Sequence, residues 1–209
     1  MIIVVAQSKG GSSKSTLCIN LQYYLRKYNP TLVNLDIQNS IVDLNQIRSK
    51  RAKPFKLTQI KNVDQLESIY ENNTKDSLYI VDTIGTDTEL TRTALLMSDL
   101  IISPVSDKTI DILGLMNFQN VLAELSKKTD DTLKSHVVIS NVLPAIKRFD
   151  DLRDLIITSK HFNLFHAIIR QRSDVANAVG YGLAAGEYAP SSKADNEFKL
   201  FAREIEKLL

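Results

Sequence analysis

The sequence predicts an α/β fold, a doubly wound and mostly parallel sheet with helices on both faces. Three observations predict it. Short apolar runs rich in Ile and Val alternate with stretches of helical periodicity along most of the chain. Several of these runs end in an Asp or Asn, at the strand edge where open α/β sheets bind ligands. The first run also passes through a Gly/Ser-rich turn straight into a helical pattern, which aims backbone N–H groups and a helix dipole at one point.

The elements follow in order. The run Ile2-Ile3-Val4-Val5-Ala6 is a buried strand, and Lys9-Gly10-Gly11-Ser12-Ser13-Lys14-Ser15-Thr16 is the turn after it. Leu17, Ile19, Leu21 and Leu25 mark the helix that follows, which Pro30 closes. Strand, turn and helix together read as a phosphate-binding loop, with Lys14 reaching the β- and γ-phosphates and the Ser15 hydroxyl holding Mg²⁺. The general pattern G-x-x-x-x-G-K-[ST] is not met, because Ser8 and Ser13 stand where its glycines belong. A Ser at position 13 strains the loop if that position needs a positive φ.

A second strand, Thr31-Leu32-Val33-Asn34-Leu35, carries Asp36 at its end, where the carboxylate either serves the site or caps the next turn. A third, Leu78-Tyr79-Ile80-Val81, ends in Asp82-Thr83-Ile84-Gly85; the carboxylate can hold a Mg²⁺ shell through water, and Gly85 allows a close backbone approach to the γ-phosphate. The string from Leu95 to Val105 reads as a helix end, a turn and a fourth strand stopped by Pro104. A fifth strand, Val137-Val138-Ile139-Ser140, leads into Asn141-Val142-Leu143-Pro144. Phe198, Phe201, Ala202, Ile205 and Leu208 form one apolar stripe of a last helix that docks on the domain.

With Lys9 in front, the loop reads K-G-G-x-x-K-[ST]. This resembles the deviant Walker A motif of the ParA/MinD family of ATPases, and most of all the small ParA-type partition ATPases. Other segments extend the resemblance nearly end to end: Asp36-Ile37-Gln38 is similar to the family's second acidic motif, Asp82 to its Walker B aspartate, Leu95 to Val105 and Asp111 to Leu115 to its central strand and helix, and Ala176 to Ala194 to its C-terminal stretch. Asn34 and Ile37 replace an aspartate and a proline of that acidic motif.

The resemblance implies a P-loop NTPase of the deviant Walker A type that hydrolyses ATP with Mg²⁺. It assigns the nucleotide to Lys9 through Thr16, Gly85, Asn141 and Pro144, with Asn141 and Pro144 flanking the adenine. Lys9, Lys14 and Asp36 become the catalytic set, with Lys9 crossing to the nucleotide of a second subunit and Asp36 orienting water. Ser15, Asp36 and Asp82 become the Mg²⁺ shell. It further implies a homodimer formed on ATP binding, non-specific DNA as ligand, a centromere-binding or cargo adaptor protein as partner, and release by hydrolysis. A nucleotide-dependent scaffold, or a MinD-like positioning protein, is the alternative.

A 209-residue chain with 44% hydrophobic residues can bury one full core, and residues 1–209 read as a single domain without repeats or linkers. One cysteine, Cys18, excludes disulfides within the chain and opposes a cluster-bearing reductase. His136, His161 and His166 lack metal-ligand spacing. No apolar stretch is long enough to span a membrane, so we expect a cytoplasmic protein, nucleoid-associated when loaded with ATP, with no membrane partner. Net charge is only +2, but its distribution is uneven. Arg48, Lys50, Arg51, Lys53, Lys56 and Lys61 form a run without acids, while Arg170, Arg172, Lys193, Lys199 and Arg203 form a second, diluted set. The resemblance favours the second set for DNA.

Overall fold

The computed structural model describes residues 1–74, 77–129 and 131–209. At its centre lies β1 (Ile2–Val5), flanked by β4 (Tyr79–Asp82) and β5 (Leu100–Val105), all three nearly free of solvent contact. Outward from β4 come β2 (Thr31–Asn34) and the edge strand β3 (Leu57–Gln59); outward from β5 come β6 (Ser135–Val142) and the other edge, β7 (Phe162–Arg170). The order is β3-β2-β4-β1-β5-β6-β7, and every pairing among the described residues is parallel. Parallel strands covered on both faces should be continuously apolar, and Ile2-Ile3-Val4-Val5 is.

Alternate side chains of each strand enter opposite cores. On one face Val4, Val33 and Val81 meet α3 (Val63–Glu71), α4 (Glu89–Leu96), α5 (Thr109–Thr129) and α6 (Asp150–Thr158) through Leu66, Leu95, Leu115, Leu122 and Ile156. On the other, Ile3, Val5 and Ile80 meet α1 (Lys14–Tyr24), α2 (Ser40–Ser49) and α9 (Lys193–Glu206) through Leu17, Leu21, Ile41, Phe198 and Phe201. The short helices α7 (Ser173–Gly180) and α8 (Ala185–Tyr188) link β7 to α9. The doubly wound, parallel architecture expected from the sequence is therefore present.

Three details differ from expectation. Pro104 does not stop its strand, which continues to Val105, with Pro104 opposite Val138. Ile102 accepts from the Ala6 N–H, so the position two residues on also faces β1, just where β1 has given way to the loop; no ladder bond is lost by the missing N–H. Two strands were unforeseen, β3 and β7, the sheet edges. Leu208 falls beyond α9 and is exposed, so the apolar stripe ends at Ile205.

Helix α9 begins at Ser192, whose side chain accepts from the Asp195 N–H, and it buries Phe198 and Phe201 completely. Phe201 also meets Phe165 of β7 edge to face, with ring centroids 5.1 Å apart. Docking of α9 is thus part of the core. Phe201→Ala should cost about 3–5 kcal/mol in urea unfolding, as a truncated core aromatic does; a loss below about 1 kcal/mol would show that α9 is only loosely attached.

Candidate nucleotide-binding site

The parallel register sets Val5 opposite Asp82, so the turn after β1 and the turn after β4 leave the sheet side by side. Their closeness depends on Gly85. A Cβ there would lie 2.6 Å from the Gly10 nitrogen and 2.8 Å from the Lys9 carbonyl carbon, which backbone cannot yield to. Thr83 reinforces the junction by donating its hydroxyl to the Val5 carbonyl at 2.9 Å.

Gly10 through Thr16 line a polar cavity of about 570 Å³ together with Asp36, Gln38, Ser40 and the segment Thr83 to Thr86, which includes Gly85. Seven successive residues, the turn and the start of α1, thus converge at the N-terminus of that helix. Ser13, the residue before that helix, has φ 70° and ψ 18°, the left-handed conformation that the sequence reading identified as a source of strain. A second, more apolar cavity of about 240 Å³ shares Ser13, Thr16 and Val179 with the first and is walled by Asn141, Ile169, Val175 and Phe198. The pair forms one groove, polar where phosphates would lie and apolar where a base would lie. Asn141 reaches this groove from a left-handed residue with φ 55° at an irregularity near the end of β6. Pro144 does not; it sits in the exposed loop beyond β6, away from the cavity wall.

The charges are arranged tightly. Lys14 is buried and donates to the Lys9 carbonyl at 2.9 Å; burial lowers its pKa, and Asp82 and Asp36 oppose that shift. Asp82 is fully buried and accepts from the Ser15 hydroxyl at 2.6 Å. Burial pushes its carboxyl from the ordinary 3.8 up to about 6, although Ser15 and Lys14 pull the other way. Its Oδ1 has no hydrogen-bond partner among the described residues. A hydroxyl beside an unpartnered carboxylate oxygen, with no cluster of three or more acidic, His or Cys ligands among those residues, fits Mg²⁺ held mainly by phosphates and water.

Asn34 has a clear task. Its amide donates to the Asp36 carbonyl at 2.9 Å and its oxygen accepts from the Asp36 N–H at 3.2 Å, clamping the turn that presents Asp36 to the cavity. An aspartate at this buried position would lack the donor and add a charge. Asp36 itself is half-buried and accepts from the Gln38 N–H at 2.9 Å.

Lys9 departs from the rest of its loop. It is absent from the cavity wall and its Nζ is paired instead with Asp111 in the first turn of α5. Burial alone would raise the Asp111 carboxyl, but hydrogen bonds from Lys9 and Ser106 hold it below its ordinary value. Gln7 adds a bond to the Asp111 carbonyl at 3.1 Å. Asp111 was visible in the sequence only as a residue near a helix start. Its partner lies 102 residues earlier, and no local signal connects them.

Arg170 and Arg172, grouped by sequence with a DNA-facing set, stand in the wall of the apolar cavity. Arg172 pairs with Glu197 at 2.6 Å, and Arg170 donates to the Ile146 carbonyl at 2.8 Å. Arg48, from the other set, is buried and pairs with Glu187.

Comparison with known proteins agrees with this geometry. Residues 3–185 match the CobQ/CobB/MinD/ParA nucleotide binding domain, and the chain belongs to that family. A protein named ParA from Rhizobium radiobacter is 27% identical over 150 residues, 70% of this chain and 67% of that protein. Among solved structures, a putative plasmid partition protein from Borrelia burgdorferi B31 bound to AMPPNP superposes with a TM-score of 0.63 at 18% identity, covering 97% of this chain and 98% of that one. The septum site-determining protein MinD from Pyrococcus horikoshii OT3, complexed with Mg-ADP, does so with a TM-score of 0.70 at 15% identity, over 99% and 96%. The fold is that of the MinD/ParA P-loop NTPases.

Two outcomes follow from the site itself. Because the folded chain holds the Asp82 proton more tightly than the unfolded chain, this group's stabilising contribution is greatest below pH 4, falls as pH rises toward 6, and is absent above. Asp82→Asn should therefore raise the stability of the nucleotide-free protein at pH 8 by on the order of 3 kcal/mol, flatten its pH dependence between 4 and 6, and weaken Mg²⁺-dependent nucleotide binding. Urea unfolding across pH and nucleotide titration with and without Mg²⁺ check both. Ser13→Gly should stabilise by about 0.5–1 kcal/mol, the left-handed penalty less the glycine entropy cost; a loss of stability would mean the Ser13 side chain is needed in place.

Proposed function

We propose that this chain is an ATP-dependent partition or positioning ATPase, acting as a single domain, that dimerises on ATP, binds DNA without sequence preference and is released by hydrolysis. One observation carries the dimer: Lys9 begins the phosphate loop yet lies outside its own chain's cavity, while Gly10 through Thr16 line it. A lysine excluded from its own site can complete another once its pairing with Asp111 opens. The rim of the same edge supports a second copy as the occupant. Ile37 is 81% exposed, and Ile110, Leu113 and Leu143 are also exposed, all after the carboxyl ends of strands.

In this reading Lys14 and the loop N–H groups hold the triphosphate, and Asn141 edges the base. Ser15, Asp82 and Asp36 are the residues that would hold Mg²⁺, and the ion, when bound, would supply positive charge against the phosphates. Asp36, fixed by Asn34, orients the attacking water. Lys9 of each subunit completes the other's site, so turnover waits for assembly and for a centromere-binding or cargo adaptor protein that stimulates it. The relatives bound to AMPPNP and Mg-ADP, and the one named ParA, support the nucleotide and the partition role.

A nucleotide-dependent scaffold is the second reading. The strained Ser13 and the neutral Asn34 favour it, since both depart from the family pattern inside the site. Comparing nucleotide occupancy with phosphate release separates a slow enzyme from a scaffold.

The three charged residues should fail differently. Lys14→Ala should abolish ATP binding. Lys9→Ala should leave monomer binding nearly intact and remove the dimer seen in sedimentation with a non-hydrolysable ATP analogue; a normal dimer would refute the role given to Lys9. Asp36→Ala should bind ATP and dimerise but lose most single-turnover phosphate release, and an unchanged rate would reduce Asp36 to a turn cap.

A further inference from the structure

The structure redistributes the free positive charge. Arg48, Arg172 and Lys199 are paired with Glu187, Glu197 and Asp195, and Arg170 is spent on internal carbonyls. Lys50, Arg51, Lys53 and Lys56 are all exposed, and none is paired with a carboxylate among the described residues. They lie within seven residues between α2 and the edge strand β3. Asp43 lies at the other end of α2, in its first turn, and the acids that follow in sequence, Asp64, Glu67 and Glu71, belong to α3, which packs on the opposite face of the sheet from α2.

This segment is built rather than merely solvated. Asn45 donates to the Phe55 carbonyl at 3.1 Å and accepts the Phe55 N–H at 2.8 Å, while Arg48 Nε donates to the Lys53 carbonyl at 2.7 Å. The Arg48 guanidinium lies 3.7 Å from the centroid of the Phe55 ring, so the loop backbone is fixed from beneath and its lysines face outward. Arg51 stands 4.6 Å over the ring of Tyr181, which stacks on Tyr188. Fixing cations before binding lowers the ordering cost of meeting a polyanion. Gly182 lets the C-terminal segment close on α2: a Cβ there would lie 2.3 Å from the Leu44 carbonyl oxygen.

We infer that Lys50, Arg51, Lys53 and Lys56 form the surface that grips the DNA phosphate backbone, in place of the C-terminal set, and that α2 couples it to the nucleotide. This rests on the DNA-binding reading above. Ser40 and Leu44 of α2 line the phosphate cavity, and the helix ends where the cationic segment begins, about 15 Å away at 1.5 Å per residue. A change at Asp36 or Ser40 on nucleotide binding therefore reaches the patch through one rigid element. Duplex phosphate is favoured because the four cations fall within one short loop, held by Asn45 and Arg48, and carry no acid among them.

The test is fluorescence anisotropy of labelled, unrelated duplexes with the ATP-loaded chain across a salt series. Lys50→Gln, Lys53→Gln and Lys56→Gln are combined, leaving Arg48 and Arg51 because they are packed. Each lost phosphate contact should lower the log–log salt slope by about 0.9, so the triple variant should lose roughly 2–3 units of slope and on the order of a hundredfold in affinity at about 0.1 M salt. ATP binding and thermal unfolding should stay as in the wild type, and all sequences should weaken alike. Undiminished affinity in this variant, with loss in a Lys193→Gln, Arg203→Gln variant, would overturn the assignment alone. No DNA retention by the wild type at low salt would overturn the DNA reading and the patch with it. Wild-type retention on polyglutamate in place of duplex would assign the patch to an acidic protein and refute the inference.

Discussion

The pairing of β1 with β4, Val5 opposite Asp82, is the constraint on which the site depends. A parallel ladder leaves little freedom: once β1 is buried between β4 and β5, the two turns that follow β1 and β4 must exit together. Asp82 then lies under the first turn of α1, where Ser15 can donate to it, and Gly85 lies against Gly10 with no room for a side chain. The cavity is the space these turns enclose with Asp36. Its chemistry is a consequence of register, and the core on both faces of the sheet serves to hold that register.

Burying a carboxylate and an ammonium so close together is costly unless each is served. Among the described residues Asp82 has Ser15 on one oxygen and no hydrogen-bond partner on the other, and Lys14 has only the Lys9 carbonyl and a long contact to Ser12. These are incompletely satisfied groups in a site with an open mouth. A triphosphate and its cation would supply what both lack, which is why the raised Asp82 pKa and the lowered Lys14 pKa point to a ligand more than to a structural ion pair. The Arg48–Glu187 pair is the opposite case. Both carboxylate oxygens meet the guanidinium at 2.6 Å, and Glu187 also accepts from the Ala184 N–H, so the pair fastens α2 to the C-terminal segment.

Much of this could be read from residues alone, for identifiable reasons. Strands buried on both faces announce themselves as apolar runs, so β1, β2, β4, β5 and β6 were legible. β3 and β7 were not, because an edge strand is only partly covered: Thr58 and Gln59 are exposed, and β7 mixes Asn163 and His166 with its apolar residues. The phosphate loop was legible because its chemistry is local, eight consecutive residues between a strand and a helix. Contacts between distant segments were hidden. Nothing near Lys9 names Asp111, nothing in the run Arg48 to Lys61 says that its first member is buried, and nothing between Asn141 and Pro144 says that only the first borders the cavity.

The pairing of Lys9 with Asp111 bears directly on assembly. One ammonium cannot hold a buried carboxylate in its own chain and a phosphate in another at the same time. In the proposed dimer the pair must open, leaving Asp111 with Ser106 and the helix start for company. Charge-assisted contacts of this kind are worth on the order of 1.5–3 kcal/mol, and a dimer uses two of them. Nucleotide phosphates in the facing site must therefore offer Lys9 a stronger partner than Asp111 does, a condition that three phosphates meet better than two. In that proposed dimer, discrimination between ATP and ADP would follow from the competition for one lysine.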